Sequence, residues 1–594
     1  MSVATTEDHN GRALEPVERM LVEHVERGEL LDLAGDAPVD EAVMRTWGQS
    51  RTVSAAVIRD IVRGRLAPDP DPHGLRLRGA RISGRIDLEN ITSTVGVALY
   101  NCLLEEGMIA RDATLAGLVL TGCLLEHPTE PALDADRLTT TVLNLASVIA
   151  TAHNARGAIT VSGAHLGGLT CRAARLRNDS GPAVDAGHLR VVQSMRLSRL
   201  EAIGAGELGA VRLLGAHLGQ LNCGTARLRN GSGPALLADS LRVDLSLLLR
   251  RGFEAIGAGE LGAVRLLDAH LGQLECDGAN LRNGSGPALF ADRLHVDRSV
   301  FLRDGFEAIG AGELGAVRLP AAHLGHLDFR AARVRNDSGP AVTAGQLRIE
   351  LSLLFRGGFA AIGGGDNVAV DLTGVQVGGL LELDPAAIEH SSDPIARLAV
   401  DGMVYTGLPR GVGPGGWLTL VRAGTRTYAA QPYQQLAAAH RAAGDDGQAR
   451  RVLRLQRHDQ IWRRALTGRA ARAWARFTGV TLGYGYQPWR ALIGLLTVVI
   501  AAVLLAVHLG AHGGLTQVHN PPSPTPMGCT VVDRIGVGLD LGTPLITTGA
   551  KARCEATNTP TGQILTVTGW VLRLLAWAFA TLFIVGFTSA VRKT

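Results

Sequence analysis

The chain has 594 residues, of which 46% are hydrophobic but only 4% aromatic, and its formal net charge is +4. A single compact core rarely grows to this length, so we expect either several domains or a solenoid that lengthens without thickening. The near-neutral charge argues against a nucleic-acid-binding body. The 74 glycines show no Gly-X-Y period, which excludes collagen.

Residues 1–72 predict a small helical cap. Apolar residues recur at helical spacing in PVERMLVEHVERGELLDLAG, and RTVSAAVIRDIVRGRL repeats the pattern. The run PDPDPH then breaks the helix and indicates a linker. Such a cap would close the unpaired strand edge at the start of a solenoid. The opening residues carry no secretory signal, so we expect this part of the chain to lie in the cytoplasm.

Residues 73–385 predict a mainly β domain with a repeat of 53 residues. Ala-Ile-Gly begins at Ala202 and returns at Ala255, Ala308 and Ala361, and the sequences between these points are nearly identical. Self-similarity at a fixed period indicates stacked supersecondary units. Short apolar pairs alternate with small residues near a five-residue beat, which is typical of a right-handed parallel β-helix of the pentapeptide-like kind. Each unit fits about two coils, with a loop at the Asn-Gly/Asp-Ser-Gly-Pro insert.

The glycines of each repeat form the pattern Gly-x-Gly-x-x-Gly, first at Gly204–Gly209. In a Rossmann unit such glycines lie between a strand and a helix whose N-terminus binds a pyrophosphate. The residues that follow here predict strand and corner, and no acidic residue stands about 20 positions on in a βαβ context. We therefore interpret the glycines as a repeated corner loop, and we predict no cofactor site there.

A histidine recurs in the Ala-His-Leu-Gly step of the repeat, at His165, His217, His270 and His323. Copies two coils apart would be separated by roughly 10 Å, which is too far for neighbouring copies to share a metal ion. We interpret them as a solvated ladder and predict no metal site. A second column is cysteine, which is replaced by phenylalanine in the fourth copy and therefore indicates a buried apolar position. Its members are Cys171, Cys223, Cys276 and Phe329.

An arginine stands just before the loop insert in each of four copies, at Arg177, Arg229, Arg282 and Arg335. A glutamate column repeats beside it, at Glu207, Glu260 and Glu313. One interpretation is that the two columns are solvated stripes whose charges offset each other. The other is that the arginine column binds a protein partner that is repetitive or extended and acidic. Both stay open.

Residues 386–425 are irregular and rich in glycine and proline, which indicates a linker. Residues 426–490 predict a helical hairpin and a basic segment that precedes the membrane. The hairpin resembles a single tetratricopeptide-type unit, in which Gly444 ends the first helix and Asp445 or Asp446 caps the second. One such unit cannot bury its own face, so it must pack against something.

Ten arginines stand against three aspartates between Arg441 and Arg476, with Trp462 and Trp474 among them. Arginines beside a membrane pair with anionic lipid headgroups, and nucleic acid is the weaker alternative. We expect no nucleic acid and predict that five arginines face lipid: Arg463, Arg464, Arg469, Arg472 and Arg476.

Two apolar stretches, 491–510 and 564–591, are each long enough to cross a bilayer. Arg573 interrupts the second, and we place it near the outer interface. Basic residues at both inner ends predict that the solenoid and the C-terminus are cytoplasmic and that 511–563 is an extracytoplasmic loop. Cys529 and Cys554 lie in this loop, so a disulfide is the natural interpretation and two unreactive thiols are the alternative.

Four stretches together resemble a bacterial family, common in actinomycetes and labelled membrane-associated oxidoreductase: GARISGRIDL, VRLLGAHLGQL, QPYQQLAAAHRAAGDDGQARRVL and GYGYQPWRA. The resemblance covers almost the whole chain, and the coils look like relatives of pentapeptide-repeat β-helices. It implies membrane association and a solenoid. The oxidoreductase label brings no catalytic positions that can be carried over, so catalytic residues and cofactors stay unknown.

The leading hypothesis is a multi-pass protein of the bacterial inner membrane that holds a cytoplasmic solenoid at the bilayer as a binding or scaffold protein. A redox enzyme, as the family label implies, is the second hypothesis. The third is a small oligomeric pore or transport accessory, in which the outer segment 537–549 dips back into the bilayer. Two spans would need homo-oligomerisation to form a pore.

Overall fold

The 53-residue repeat folds into two coils of a parallel β-solenoid. Strands pair in register from Glu201 to Arg227 and from Arg227 to Glu254, so the two coils contain 26 and 27 residues. A computed structural model describes residues 11–36, 38–411, 414–463, 468–483, 487, 489–518, 528–544 and 546–592. The chain divides into two compact units, Met1–Gln435 and Leu436–Thr594. The first unit contains the solenoid, which confirms the predicted fold class.

Three parallel sheets, which we name wall 1, wall 2 and wall 3, follow one another along each coil. Wall 1 has 20 strands: Leu31–Asp32, Leu75–Arg78, Thr92–Ser93, Val97–Tyr100, Thr114–Leu115, Leu118–Val119, Thr139–Asn144, His165–Thr170, Arg190–Arg196, His217–Asn222, Arg242–Val243, Leu247–Leu248, His270–Leu271, Leu274–Glu275, His295–Phe301, His323–Asp328, Arg348–Phe355, Gln376–Val377, Leu380–Leu383 and Val404–Tyr405. Wall 2 has 14 strands: Thr52–Ser54, Arg81–Ser83, Leu103–Leu104, Leu124–Glu126, Ile149–Ala152, Arg175–Asn178, Glu201–Gly204, Arg227–Asn230, Glu254–Gly257, Asn280–Asn283, Glu307–Gly310, Arg333–Asn336, Ala360–Gly363 and Ile388–His390. Wall 3 has 13 strands: Ile86–Asp87, Met108–Ile109, Leu133–Asp134, Ile159–Thr160, Val184–Asp185, Val211–Arg212, Leu236–Leu237, Val264–Arg265, Leu289–Phe290, Val317–Arg318, Val342–Thr343, Val370–Asp371 and Leu398–Ala399.

Side chains alternate between the interior and the surface along each strand, as β-structure requires. In Arg227–Asn230 the leucine and the asparagine are buried and the two arginines are exposed. The interior is narrow and is filled mainly by Leu, Ala and Val. The cysteine column lies inside as predicted, since its members and Phe329 are fully buried. Phe329 stacks on Phe355 with 4.9 Å between the ring centroids.

A ladder of buried asparagines fixes the loops that follow wall 2. These residues open the Asn-Gly/Asp-Ser-Gly-Pro inserts, and each is at most 3% exposed. Each side-chain amide donates to the carbonyl oxygen of the insert's own proline and to a carbonyl in the preceding coil. The ladder therefore satisfies buried backbone groups that no strand pairs. Its members are Asn178, Asn230, Asn283 and Asn336.

Both ends of the solenoid are covered. At the first end lie helices α1 (Pro16–Arg27), α2 (Glu41–Arg45) and α3 (Ala55–Val62), with a 3₁₀ turn at Gln49–Arg51. The cap is not purely helical, because it also supplies the first strands of walls 1 and 2, which extends the parallel pairing into the cap. These cap strands cover the first strands of walls 1 and 2, and Arg59 of α3 contacts Asp87 on the first strand of wall 3.

The last coil lies beyond the predicted boundary at 385. After a 3₁₀ turn at Pro385–Ala387, the strands of walls 2, 3 and 1 each continue once more, ending at Tyr405. Helices α4 (Pro414–Ala423) and α5 (Gln431–Ala442) follow. Side-chain amides of Gln431 and Gln435 donate at 2.7 Å to the carbonyl oxygens of Met403 and Tyr405, respectively. The segment expected to be a linker thus forms one more coil and a helix.

The second unit is helical and includes α6 (Asp446–Trp462), α7 (Arg469–Leu482), α8 (Trp489–Leu509), α9 (Val531–Gly542) and α10 (Pro560–Arg592). A π turn at Gly510–Gly514 extends α8, and a 3₁₀ turn occupies Ala550–Ala552. Strands Leu515–Gln517 and Cys554–Ala556 pair in an antiparallel hairpin. Asp445 caps α6 by accepting a hydrogen bond from the backbone N–H of Gln448 at 3.0 Å, as the sequence pattern predicts.

Two helices are long and apolar enough to cross a membrane, Trp489–Gly514 and Pro560–Val585. They pack closely, because a Cβ at Gly494 would meet the ring of Phe579 at 2.5 Å. They run antiparallel, because Gly514, at the other end of the first helix, lies near Thr561 at the start of the second. Helix α9 packs on α8 through two glycines one turn apart. A Cβ at Gly538 would lie 2.5 Å from the Cα of Val503, and one at Gly542 would lie 2.9 Å from the Cα of Val499.

Candidate functional site

The predicted arginine column lies on the outer face of wall 2. Consecutive coils place arginine and isoleucine alternately at this position, so the column runs Arg177, Ile203, Arg229, Ile256, Arg282, Ile309, Arg335, Ile362. Adjacent strands are about 4.8 Å apart, so successive arginines are about 9.6 Å apart. The four arginine side chains are 50–58% exposed. The four arginines therefore form a line of evenly spaced cations, with one isoleucine between each arginine and the next.

Each arginine of the column has a carboxylate partner within the solenoid. Arg177 contacts Asp179 and Arg335 contacts Asp337, both at 2.9 Å across two residues of the same strand end. The remaining two reach glutamates of the adjacent coil, at 3.5 Å for Glu254 and 3.2 Å for Glu307. The offsetting carboxylates are therefore these residues, while Glu207, Glu260 and Glu313 lie exposed on the loop after the strand.

The strands of wall 2 carry an excess of arginine on their outer face, which Asp179 and Asp337, just beyond two strand ends, reduce in part. From Arg175 to Ile362 its two outward positions hold seven arginines and three glutamates. Exposed pairs of this kind contribute little, typically 0–1 kcal/mol each, because water screens both charges. The arginines can therefore exchange partners at low cost.

The Gly-x-Gly-x-x-Gly pattern forms a corner loop. Gly204 ends a strand of wall 2, and Gly206 and Gly209 have φ of 79° and 90°, a conformation that L-residues with a side chain rarely adopt. The next element is the strand Val211–Arg212 of wall 3, not a helix. The loop therefore lacks the helix N-terminus that holds a pyrophosphate in dinucleotide sites.

The histidine column lies on the outer face of wall 1, and it is denser than the repeat alone predicts. The intervening coils fill the same register position, giving His165, Arg190, His217, Arg242, His270, His295, His323, Arg348. His295 thus lies between two members of the predicted column. Three histidines therefore occupy adjacent coils, and the separation of two coils assumed from the sequence does not apply to them.

His270, His295 and Asp297 form a compact cluster at this position. Asp297 Oδ1 lies 3.2 Å from Nε2 of each histidine. The two imidazoles stack with 4.5 Å between their centroids. The candidate ligand atoms of the three residues all lie within 4.8 Å of one another, and the cluster is half-exposed. We name it the His-His-Asp cluster.

The three cysteines of the column lie in buried surroundings that disfavour the thiolate. Burial raises the pKa of Cys171 and Cys223 to about 12 and also raises the pKa of Cys276. Thiolates are the reactive form of cysteine, so these thiols are inert in the folded protein. Their role is to fill the interior.

The predicted lipid-facing arginines lie at the end of α6 and in α7. Arg463 caps α6 and Arg469 begins α7, while Arg464 lies outside the described residues. Arg476 is exposed and Arg472 is half-buried. Trp474 and Phe477 lie beside them, 64% and 47% exposed, and stack on each other at 5.7 Å. A helix with exposed arginines and exposed aromatic rings suits the boundary between headgroups and acyl chains.

A cavity of about 320 Å³ lies between α9, α10 and the antiparallel hairpin. Its wall combines apolar side chains, such as Leu541 and Trp570, with the cations Lys551 and Arg573. Burial lowers the pKa of Lys551, and the nearby Arg573 lowers it further. A disulfide joins Cys554 of this hairpin to Cys529.

No family model, curated protein or solved structure matches this chain. The features that bear on function are the arginine column, the His-His-Asp cluster and the helices of the second unit. Sequence reasoning identified the column but missed His295 and Asp297. The signal was present, because 25 residues separate His270 from His295, about the length of one coil.

Proposed function

We propose that this protein is a membrane-anchored scaffold whose solenoid binds an extended acidic segment of a protein partner along wall 2. The observation that carries the proposal is the arginine column, in which four half-exposed arginines recur on every second coil. Repeat proteins use the extended surfaces of their stacked units to bind partners, and here such a surface carries a regular column of arginines.

The spacing of the column suits a particular backbone conformation of the partner. A polyproline II segment has three residues per turn and a rise of about 3.1 Å, so every third side chain recurs after about 9.3 Å. The arginines recur after about 9.6 Å. A segment with an acidic residue at every third position would thus place one carboxylate beside each arginine. The isoleucines between them would contact the remaining side chains.

The existing ion pairs do not oppose this binding. Arg177 and Arg335 pair locally with Asp179 and Asp337, whose side chains are 42% and 62% exposed. Because exposed ion pairs contribute little, replacing an internal carboxylate by one from the partner costs little. The contributions of several such exchanges on one face to the free energy of binding would add together.

Membrane anchoring is supported by the two apolar helices and by the amphipathic α7. Arginines precede the first candidate span, and Arg592 and Lys593 follow the second. By the positive-inside rule, both flanks belong in the cytoplasm and the disulfide-closed segment belongs outside. The proposal therefore places the solenoid at the cytoplasmic face of a bacterial inner membrane, with anionic lipids around α7.

The test is binding of a synthetic Pro-rich peptide with glutamate at every third position to the full-length protein in detergent. The variant Arg229→Glu/Arg282→Glu should bind the peptide at least about tenfold more weakly, since each reversal replaces an attraction of about 1 kcal/mol by a repulsion. The matched control is Arg190→Glu/Arg348→Glu, which changes the same charge on wall 1. Equal affinities for the two double variants would contradict the role of wall 2.

A second candidate is a transport accessory or oligomeric pore, and the position of α9 favours it. Gly538 and Gly542 place this helix against Val503 and Val499, in the middle of the first apolar helix. If α8 crosses the bilayer, α9 enters it from the outer side and returns. The expected outcome is that a cysteine introduced by Thr547→Cys resists a membrane-impermeant thiol reagent added from outside. Rapid labelling of this cysteine would contradict the re-entrant arrangement.

A further inference from the structure

We propose that the His-His-Asp cluster is a binding site for a divalent transition-metal ion, with Zn²⁺ as the ion tested. The ligands would be Nε2 of His270, Nε2 of His295 and a carboxylate oxygen of Asp297. Imidazole nitrogen and carboxylate oxygen form the ligand set that zinc takes in three-ligand sites, where water completes the tetrahedron. This site is independent of the arginine column, which lies on another wall.

The distances fit this assignment. Ligands held about 2.0–2.2 Å from zinc in a tetrahedron lie roughly 3.3–3.5 Å from one another. Asp297 Oδ1 already lies 3.2 Å from both Nε2 atoms. All three ligand atoms lie within 4.8 Å of one another, so small rotations of exposed side chains complete the site.

The backbone holds the three residues in place. His295 and Asp297 are two residues apart on one strand and therefore face the same side of wall 1. His270 occupies the register position opposite His295 on the neighbouring strand. A metal ion would thus join two adjacent coils through residues whose backbone is already fixed, which lowers the ordering cost of binding.

Nearby cations are engaged elsewhere. Arg242, the register neighbour of His270, lies 3.8 Å from Asp244, and the guanidinium of Arg298 donates to the carbonyl oxygens of Leu245 and Gly272. Arg293 contacts Asp268 through two hydrogen bonds of 2.6 Å. None of these arginines takes Asp297 as its partner in those contacts, so the carboxylate stays available to a metal ion.

The preceding repeat provides an internal control. In that repeat, His217 is equivalent to His270 and Asp244 is equivalent to Asp297. These two residues hydrogen-bond to each other at 2.9 Å. The position of His295, however, is occupied by Arg242. This repeat has two of the three ligands and a cation in place of the third. His295→Arg therefore converts the proposed site into its neighbour, and Arg242→His converts the neighbour into a second copy of the site.

The test is a Zn²⁺ titration of the metal-stripped full-length protein in detergent against a chromophoric zinc indicator. Loss of a residue that merely supports a ligand costs 10–100-fold in metal affinity, so His295→Arg should weaken the site by at least about that factor. Arg242→His should raise the number of bound zinc ions by one. Zinc should also raise the thermal unfolding temperature of the wild type and not that of His295→Arg.

Three outcomes would overturn the proposal: no zinc uptake by the wild type, an unchanged affinity in His295→Arg, or an unchanged stoichiometry in Arg242→His. Circular dichroism of each variant checks that the solenoid is intact. Arginine and histidine both occur at other positions of the histidine column, so the outer face of wall 1 accommodates either residue. Failure of the peptide-binding test on wall 2 would leave this result unaffected.

Discussion

The side-chain amide of Asn283 donates to the carbonyl oxygen of Gly259, one coil earlier, at 3.0 Å. The same nitrogen donates to Pro287 O at 3.0 Å, while its oxygen accepts from the N–H groups of Ser285 and Gly286. One buried side chain thus completes four hydrogen bonds that the strands do not provide. The insert depends on it for its shape.

We expect Asn283→Asp to destabilise the solenoid by about 2–4 kcal/mol. A carboxylate cannot donate, so two buried carbonyl groups lose their partner, at about 1–3 kcal/mol for each unsatisfied group. The measurement is urea unfolding followed by circular dichroism. Arg282→Ala, on the same strand but facing water, should shift the transition by less than about 0.5 kcal/mol. Similar shifts for both variants would show that the ladder has no special role.

Gly538→Ala should loosen helix α9 even though alanine favours a helix. Alanine stabilises an unconstrained helix position by about 1 kcal/mol relative to glycine, but here its Cβ would lie 2.5 Å from a backbone atom of α8. We expect faster proteolysis within α9 in the variant. In contrast, Gly447→Ala in α6 should be neutral or stabilising, because its nearest neighbour would be 3.6 Å away. Unchanged proteolysis in Gly538→Ala would contradict the close packing of α9.

Arg472→Gln/Arg476→Gln should reduce retention of anionic phospholipid by the solubilised protein. Each arginine near a charged surface is worth about 1 kcal/mol, so the pair predicts a loss of roughly 30-fold. Native mass spectrometry with mixed lipids measures it, and added salt should weaken the wild-type binding by screening. The control is Arg450→Gln/Arg451→Gln, which removes two exposed arginines of α6. An equal loss in the control would mean that α7 is not the lipid-binding element.

The interior thiols predict a definite pH dependence. Cys171 and Cys223 have their pKa raised to about 12 by burial, whereas an unfolded thiol ionises near its ordinary value of 9.0. Above pH 9 the unfolded chain releases protons that the folded protein retains, so this contribution to stability is lost as pH rises from 9 to 12. We also expect no alkylation of either thiol at pH 9 until the protein unfolds. Modification of the folded protein, located by peptide mapping, would contradict their burial.

The solenoid was predictable because its coils repeat in sequence, and so were the buried cysteines, whose exchange for Phe329 identified an interior position. The 53-residue repeat could not show which residues the intervening coil places beside each copy. His295 has no counterpart at the other copies of its position, which hold arginine, so the 53-residue period hides its closeness to His270. The register of adjacent strands had to be known first.

The second unit was predictable in its segments but not in its packing. Hydrophobic length identified both apolar helices, whereas the contact of α9 with α8 depends on glycines that look like turn formers in the sequence. The position of Arg573 near the outer interface stays a prediction; what the sequence did not indicate is that this arginine, within the continuous helix α10, lines a cavity. Whether a residue lines a cavity depends on which helices surround it, and the sequence composition does not give this information.

The two-coil period has a consequence for how such a chain changes length during evolution. Loss of residues 255–307 would join Glu254 to Ala308 and leave the local sequence Glu-Ala-Ile-Gly unchanged, because both copies read the same. All three walls would keep their register, since two whole coils disappear together. The arginine column would shorten from four members to three by losing Arg282. Recombination between near-identical copies can therefore change the length of the arginine column in fixed increments, while the remaining coils stay in register.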